Sequence, residues 1–278
     1  MPSAEVPSAE VPSAEVAGPQ PKRRILVTND DGVRAPGIHV LIQALVDAGR
    51  EVVVAAPLDD RSGASAALMA RFLDDILYEE VDLERLEGVP VFGVDGPPAL
   101  AVLASRLGAF GEPPELIMSG INPGANTGRA VLHSGTVGAV LAGANFGMSG
   151  IAVSVVPGDP MMWDTAATVA IAALDLIETA PPGTVLNINV PNRALSDIKG
   201  VEAGRLAPFG TVQAALISTD EGRISMELKA TDRELDPDTD TQLVTDGFVS
   251  ITSLVGPRAV DPGDAATALA GALGAPLP

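Results

Sequence analysis

At 278 residues with 46% hydrophobic content, the chain is long enough to bury the core of a full α/β domain. It contains no cysteine, which excludes disulfides, thiolate metal sites and a cysteine nucleophile, and it fits a cytoplasmic protein. A formal charge of −19 argues against wrapping a nucleic-acid polymer, which takes clustered lysine and arginine. The longest apolar runs, such as 150–156, are too short to span a bilayer, and no basic-then-apolar N-terminal segment marks a secretory leader. Neither a membrane nor a nucleic acid is therefore an expected partner.

Residues 2–16 repeat PSAEV three times. A period of five rich in Pro, Ser and Glu matches neither helix nor strand, so 1–22 reads as a disordered tail ahead of a single α/β domain at 23–278. From Arg24 apolar runs alternate with helical patterns. RILVTN reads as a strand, and 36–49 as a helix with Pro at its start and Gly at its end. Further strands are predicted at 51–57, 89–94, 114–120, 150–156 and 184–191, with helices at 97–108, 134–147 and 160–179. Strands spaced by helices imply right-handed crossovers and a Rossmann-like, doubly wound, mostly parallel sheet. After Pro191 the pattern turns β-rich and loop-rich. We read 192–255 as an extension suited to oligomerisation, ending in a strand at 247–254, with a last helix at 262–274.

In an open parallel sheet the ligand crevice lies beyond the C-terminal strand ends. Three polar clusters fall there: Asp30 and Asp31 after the first strand, DDRSGAS (59–65) after the second, and SGINPGANTG (119–128) after the strand at 114–118. Asp30, Asp31, Ser62 and Asn122 together offer two carboxylates, a hydroxyl and an amide oxygen. That is an all-oxygen set for a hard divalent ion such as Mg²⁺ or Mn²⁺, and such an ion would offset the repulsion between adjacent aspartates. Taken alone, the pair reads equally as a helix N-cap beside a solvated acid; the convergence of three strand ends favours the metal.

Ser134, Gly135 and Thr136 open a helix, where free N–H groups, two hydroxyls and the positive helix end suit a phosphate. Ordinary capping with small residues is the alternative. Asn126, in the loop between, is placed to bridge phosphate and metal. His133 adjoins this pocket as a phosphate-side or leaving-group contact or as a packing residue, and His39 lies within a helical pattern as a structural residue. Arg61 and Arg129 are candidate sources of positive charge. GxxxxGK[ST] and GxSxG are absent, and the glycines at 120, 124 and 128 have the wrong spacing for a dinucleotide fingerprint. An aspartyl phosphatase with DxDG would need an acid where Asn29 stands.

ILVTNDDGVRAPGI, VVAAPLDDRSGAS, SGINPGANTG, HSGTVGA and LNINVPN, in this order, resemble the SurE family of metal-dependent nucleotidases and acid phosphatases, and DTDTQLVTDGFVSITSL (238–254) fits its C-terminal signature. The resemblance runs over residues 24–255. It implies a Rossmann-like core with a β-rich extension, and dimers or tetramers formed through that extension. It also implies removal of phosphate from nucleoside 5′- or 3′-monophosphates. The metal ligands it implies are Asp30, Asp31, Ser62 and Asn122, with Asp30 and Asp31 central to catalysis, and the phosphate contacts are Asn126, Ser134, Gly135 and Thr136. The chain departs from the family pattern at Ala66, at DGPPALAVL (95–103) and at Ala142. None of these touches the metal set, so phosphatase chemistry is still expected, and the departures open the alternative of a specialised phosphatase of a biosynthetic intermediate. A catalytically silent nucleotide- or metabolite-binding protein is a separate alternative, against which the retention of the whole ligand set speaks.

Overall fold

The computed structural model of the chain describes residues 23–68, 75–86, 88–208, 212–220, 222–230, 234–261 and 263–273, and the repeat tail at 1–22 lies outside them. Among the described residues the strands are β1 (Ile25–Thr28), β2 (Val52–Pro57), β3 (Tyr78–Glu80), β4 (Val91–Val94), β5 (Leu116–Pro123), β6 (Ser149–Val155), β7 (Val185–Val190), β8 (Val201–Ala203), β9 (Val212–Asp220), β10 (Arg223–Ala230) and β11 (Val249–Leu254). The helices are α1 (Pro36–Asp47), α2 (Pro98–Arg106), α3 (Gly135–Ala144), α4 (Trp163–Ala172), α5 (Leu174–Thr179), α6 (Asp240–Asp246) and α7 (Ala265–Leu273). One sheet runs β3-β4-β2-β1-β5-β6-β7-β11-β8, and β9 and β10 form a separate antiparallel hairpin. The six strands from β4 to β7 are mutually parallel; β3 and β11 join antiparallel, and β8 is parallel to β11.

The central strands are mostly apolar because helices cover both faces. Ile25 and Val27 of β1 pack with Ile38, Leu41, Ile42 and Leu45 of α1 and with Ala166 and Ala170 of α4. Leu26, between them, points the other way with Val53, toward Ala101 of α2 and Val137 and Val140 of α3. The four α1 residues recur at helical spacing and form one buried stripe, and Pro36 supplies a preset φ at the first turn.

The helical pattern at 160–179 divides into α4 and α5 at Ala173. The β-rich region also holds a helix, α6, started by Asp240 and stopped by Gly247, whose φ of +98° suits only glycine well. β5 runs past its expected end to Pro123 through a register irregularity between Ser119 and Asn122, which carries Asn122 to the sheet edge.

This topology places a crevice. The chain leaves β1 into α1 on one face, whereas β5 leads to α3 on the other. The strand order therefore reverses between β1 and β5, and their C-terminal ends part there.

Candidate active site

Asp30 follows β1 by two residues and is almost fully buried, 3% exposed. Its main-chain carbonyl accepts from the Arg61 amide at 2.7 Å, tying the loop after β2 to the loop after β1. Its carboxylate sits on the N-terminus of α3: Oδ2 accepts from the Gly135 amide at 3.0 Å, and Oδ1 accepts a short hydrogen bond from the Thr136 hydroxyl. Burial raises the Asp30 carboxyl above its usual range, and these bonds pull it back. A Cβ on Gly135 would stand 2.6 Å from the Cβ of Asp30, so only glycine lets the carboxylate reach the helix end. Ser134 Oγ accepts from the Val137 amide at 3.1 Å and caps α3.

Asn122, at the end of β5, donates through Nδ2 to the Gly124 carbonyl at 2.6 Å. That turns its Oδ1 toward Thr136 Oγ1, 3.3 Å away. Thr136 has one proton to give, and the short bond commits it to Asp30. Asp30 Oδ1, Asn122 Oδ1 and Thr136 Oγ1 thus gather with more lone pairs than protons. Asp31 adds to the surplus. Its Oδ2 is buried with no hydrogen-bond partner, and its carboxyl is pushed up to about 7, first by burial and then by the charges of Asp30 and Asp60. Ser62 is exposed and donates its hydroxyl to Asp60 Oδ1 at 2.6 Å; the Ser62 amide donates to the same oxygen at 2.7 Å. Those bonds hold Asp60 below the usual carboxylate range.

The structure therefore joins Asp30, Asn122, Gly135 and Thr136 directly, Asp31 through its field, and Ser62 through the Asp60–Arg61 turn. Asn126 stands apart from this cluster. Its own amide donates to Asn189 Oδ1 at 2.7 Å, and its side chain donates to Ser154 Oγ at 2.9 Å. His133 and Arg129 are exposed, and Arg61 pairs with Asp95 at 3.0 Å.

Four residues here escape a sequence reading: Asp60, Asn187, Asn189 and Asp240. Asp240 is fully buried, accepting from Gly128 and Ala207 amides at 2.8 and 2.9 Å and from the Thr241 amide at 2.8 Å. It fastens the end of the Asn126 loop to the C-terminal part of the chain. Asp60 lies inside the quoted DDRSGAS segment, and the asparagines lie inside LNINVP; alternation within that strand was their signal.

The profile of the family described as "Survival protein SurE" matches residues 25–236. The chain belongs to the SurE family. Similar SurE-family proteins include the "5'-nucleotidase SurE" of Stenotrophomonas maltophilia, 37% identical and covering 83% of this chain and 89% of its own. The "5'-nucleotidase SurE" of Ectopseudomonas mendocina is 39% identical, covering 83% and 91%. Among solved structures, the SurE protein of Aquifex aeolicus superposes with a TM-score of 0.72 at 28% identity, over 88% of this chain and 97% of that one. The Rossmann-like sheet is thus the fold of a SurE-family protein.

Proposed function

We propose that the chain is a divalent-metal-dependent phosphomonoesterase acting on nucleoside 5′- or 3′-monophosphates or a closely related phosphorylated metabolite. The activity class is supported by the relatives described as 5′-nucleotidases. The metal dependence is supported by one observation above all: the oxygen surplus at the crevice, where Asp31 Oδ2 is buried without a proton donor and Thr136 faces two acceptors with one proton. Oxygen donors without sulfur or histidine fit Mg²⁺ or Mn²⁺. Asp30, Asp31, Asn122 and Ser62 are the residues that would hold it; the hydroxyl of Ser62 gives its proton to Asp60 and keeps lone pairs for a cation.

Bound there, the ion supplies Lewis acidity to a phosphoryl oxygen. The chain's own groups do the rest. The N-terminus of α3 presents its partial positive end where negative charge gathers, at Gly135 and Thr136. Asn126 offers an amide to the phosphoryl group, Ser134 caps the helix through its oxygen and keeps its hydroxyl proton for the same group, and His133 stands exposed beside the cap for the leaving-group side. Asp30 and Asp31 fix the reacting geometry as the catalytic carboxylates.

The exposed apolar residues Ile217, Ile224 and Met226 on the β9–β10 hairpin support reading 192–255 as the surface through which copies associate as a dimer or tetramer, within one α/β domain. No described helix is long and apolar enough to cross a membrane. With no cysteine to oxidise, the chain suits the cytoplasm.

Phosphate release from p-nitrophenyl phosphate and from a panel of nucleoside monophosphates and sugar phosphates tests this reading. Expected is loss of activity after EDTA dialysis and its return with Mn²⁺ or Mg²⁺. Full turnover by protein shown to be metal-free would overturn the metal assignment. No turnover of any ester with metal present would leave a binding protein instead. A sugar phosphate or pathway intermediate far above the nucleotides would mark a specialised phosphatase, the alternative opened by the departures at Ala66, 95–103 and Ala142.

A further inference from the structure

β7 carries two amides on the face that begins with the apolar Val185. Asn187 and Asn189 are fully buried on the same face as Val185, beneath the loop that bears Asn126. Burying an amide side chain costs on the order of a few kcal/mol unless its donors and acceptor are matched. Asn189 matches both at a single residue. Its Oδ1 accepts from the Asn126 amide at 2.7 Å, and its Nδ2 donates to the Asn126 carbonyl at 3.0 Å. The side chain thereby pairs with the two sides of one residue as a neighbouring strand would. Asn187 Nδ2 reaches the same carbonyl at 2.8 Å. Ser154, the register partner of Asn189 on β6, takes the Asn126 side-chain amide at 2.9 Å.

We propose that Asn189 is a positioning residue: it fixes the backbone of Asn126 so that the Asn126 side chain, with one Nδ2 proton on Ser154 Oγ, keeps its second for the substrate phosphoryl group. The inference rests on the phosphate role given to Asn126 above. Only an amide can play this part. An aspartate keeps the acceptor but sets a second oxygen against the Asn126 carbonyl, and a leucine offers neither group. A purely structural amide would matter for stability and leave phosphate recognition untouched.

The experiment is a double-mutant cycle on the full chain loaded with Mn²⁺, reading competitive inhibition by inorganic phosphate and, separately, Mn²⁺ affinity. Asn126→Ala and Asn189→Asp should each weaken phosphate inhibition by about tenfold, the loss of roughly one hydrogen bond to a charged group, with Mn²⁺ affinity within about twofold. In the Asn126→Ala background, Asn189→Asp should add less than about twofold, because it acts through the side chain already removed. If Asn126→Ala leaves phosphate inhibition unchanged, the phosphate role of Asn126 fails and this inference with it. If Asn126→Ala weakens phosphate but a folded Asn189→Asp does not, or the two effects multiply, the positioning role alone is overturned. Should Asn189→Asp fail to fold, amide hydrogen exchange of the unmodified protein decides. Protection of the Asn126 amide that rises when inorganic phosphate binds supports the clamp as a positioning device, and exchange as fast as an exposed loop, or unchanged by phosphate, overturns it.

Discussion

Asp31 carries the largest electrostatic cost in the crevice. Its folded carboxyl sits at about 7 against an ordinary 3.8, so between those values the native protein binds a proton that the unfolded chain has released. Without a divalent ion, stability from this group is full below the unfolded value and is lost as pH rises through 7. Asp31→Asn removes the penalty. In EDTA at pH 8 the variant should melt higher than the parent, by on the order of 1–2 kcal/mol after allowing for solvent screening of a partly exposed group, and the gap should close toward pH 4. With Mn²⁺ the order reverses, because a ligand charge has gone. Melting curves over pH, with and without metal, read both signs; a parent more stable than Asp31→Asn in EDTA at pH 8 would contradict the account. Gly135 is the steric counterpart. Gly135→Ala forces Asp30 off the α3 N-terminus and should lower turnover by about a hundredfold or more, since small displacements of reacting groups are costly. Steady-state kinetics check it, and a variant within threefold of the parent would show that Asp30 need not touch the helix.

Elements differ in how openly the sequence announces them. β2, β6 and α1 were legible because their apolar runs are bounded by Gly and Pro, β1 because its run lies between arginines and Asn29, and the Asp30–Asp31 pair because it follows directly on the end of that run. β3 is three exposed residues, Tyr78–Glu80, with no alternation to reveal it. The site's supports were hidden for another reason. Asn187 and Asn189 give β7 a polar face that resembles a solvated one, and only the fold covers it with the Asn126 loop. Asp240 sits among acids and threonines that read as surface, yet its partners lie 33 and 112 residues away in Ala207 and Gly128. Contacts of that span leave no local pattern. Asp240→Ala would strand three buried amide donors, so it should cost roughly 3 kcal/mol or more in chemical denaturation. A change below about 1 kcal/mol would mean that water replaces the carboxylate at the knot.

Across the whole molecule, the charge of −19 opposes the anionic substrate that the crevice is proposed to accept. A divalent ion held by Asp30 and Asp31 brings two positive charges against two negative ones, so the loaded site is close to neutral at long range. The N-terminus of α3 adds a partial charge that fades within about one helical turn. Beyond a Debye length the surrounding acidic surface therefore dominates, and it repels phosphate monoesters. Salt should relieve that repulsion. Raising NaCl from about 20 to 150 mM at fixed free Mn²⁺ shortens the screening length from roughly 20 to 8 Å. KM for a nucleoside monophosphate should fall by about two- to threefold while kcat stays nearly constant, because contacts made at close range inside the crevice are screened far less. A binding site governed by clustered arginines would respond the other way, and Arg61 is already paired with Asp95. KM measured across that range, with metal saturation verified at each salt, decides between them: a rise of threefold or more would show that local positive charge outweighs the acidic surface and that cations not placed at the site, Arg129 first among them, reach the substrate.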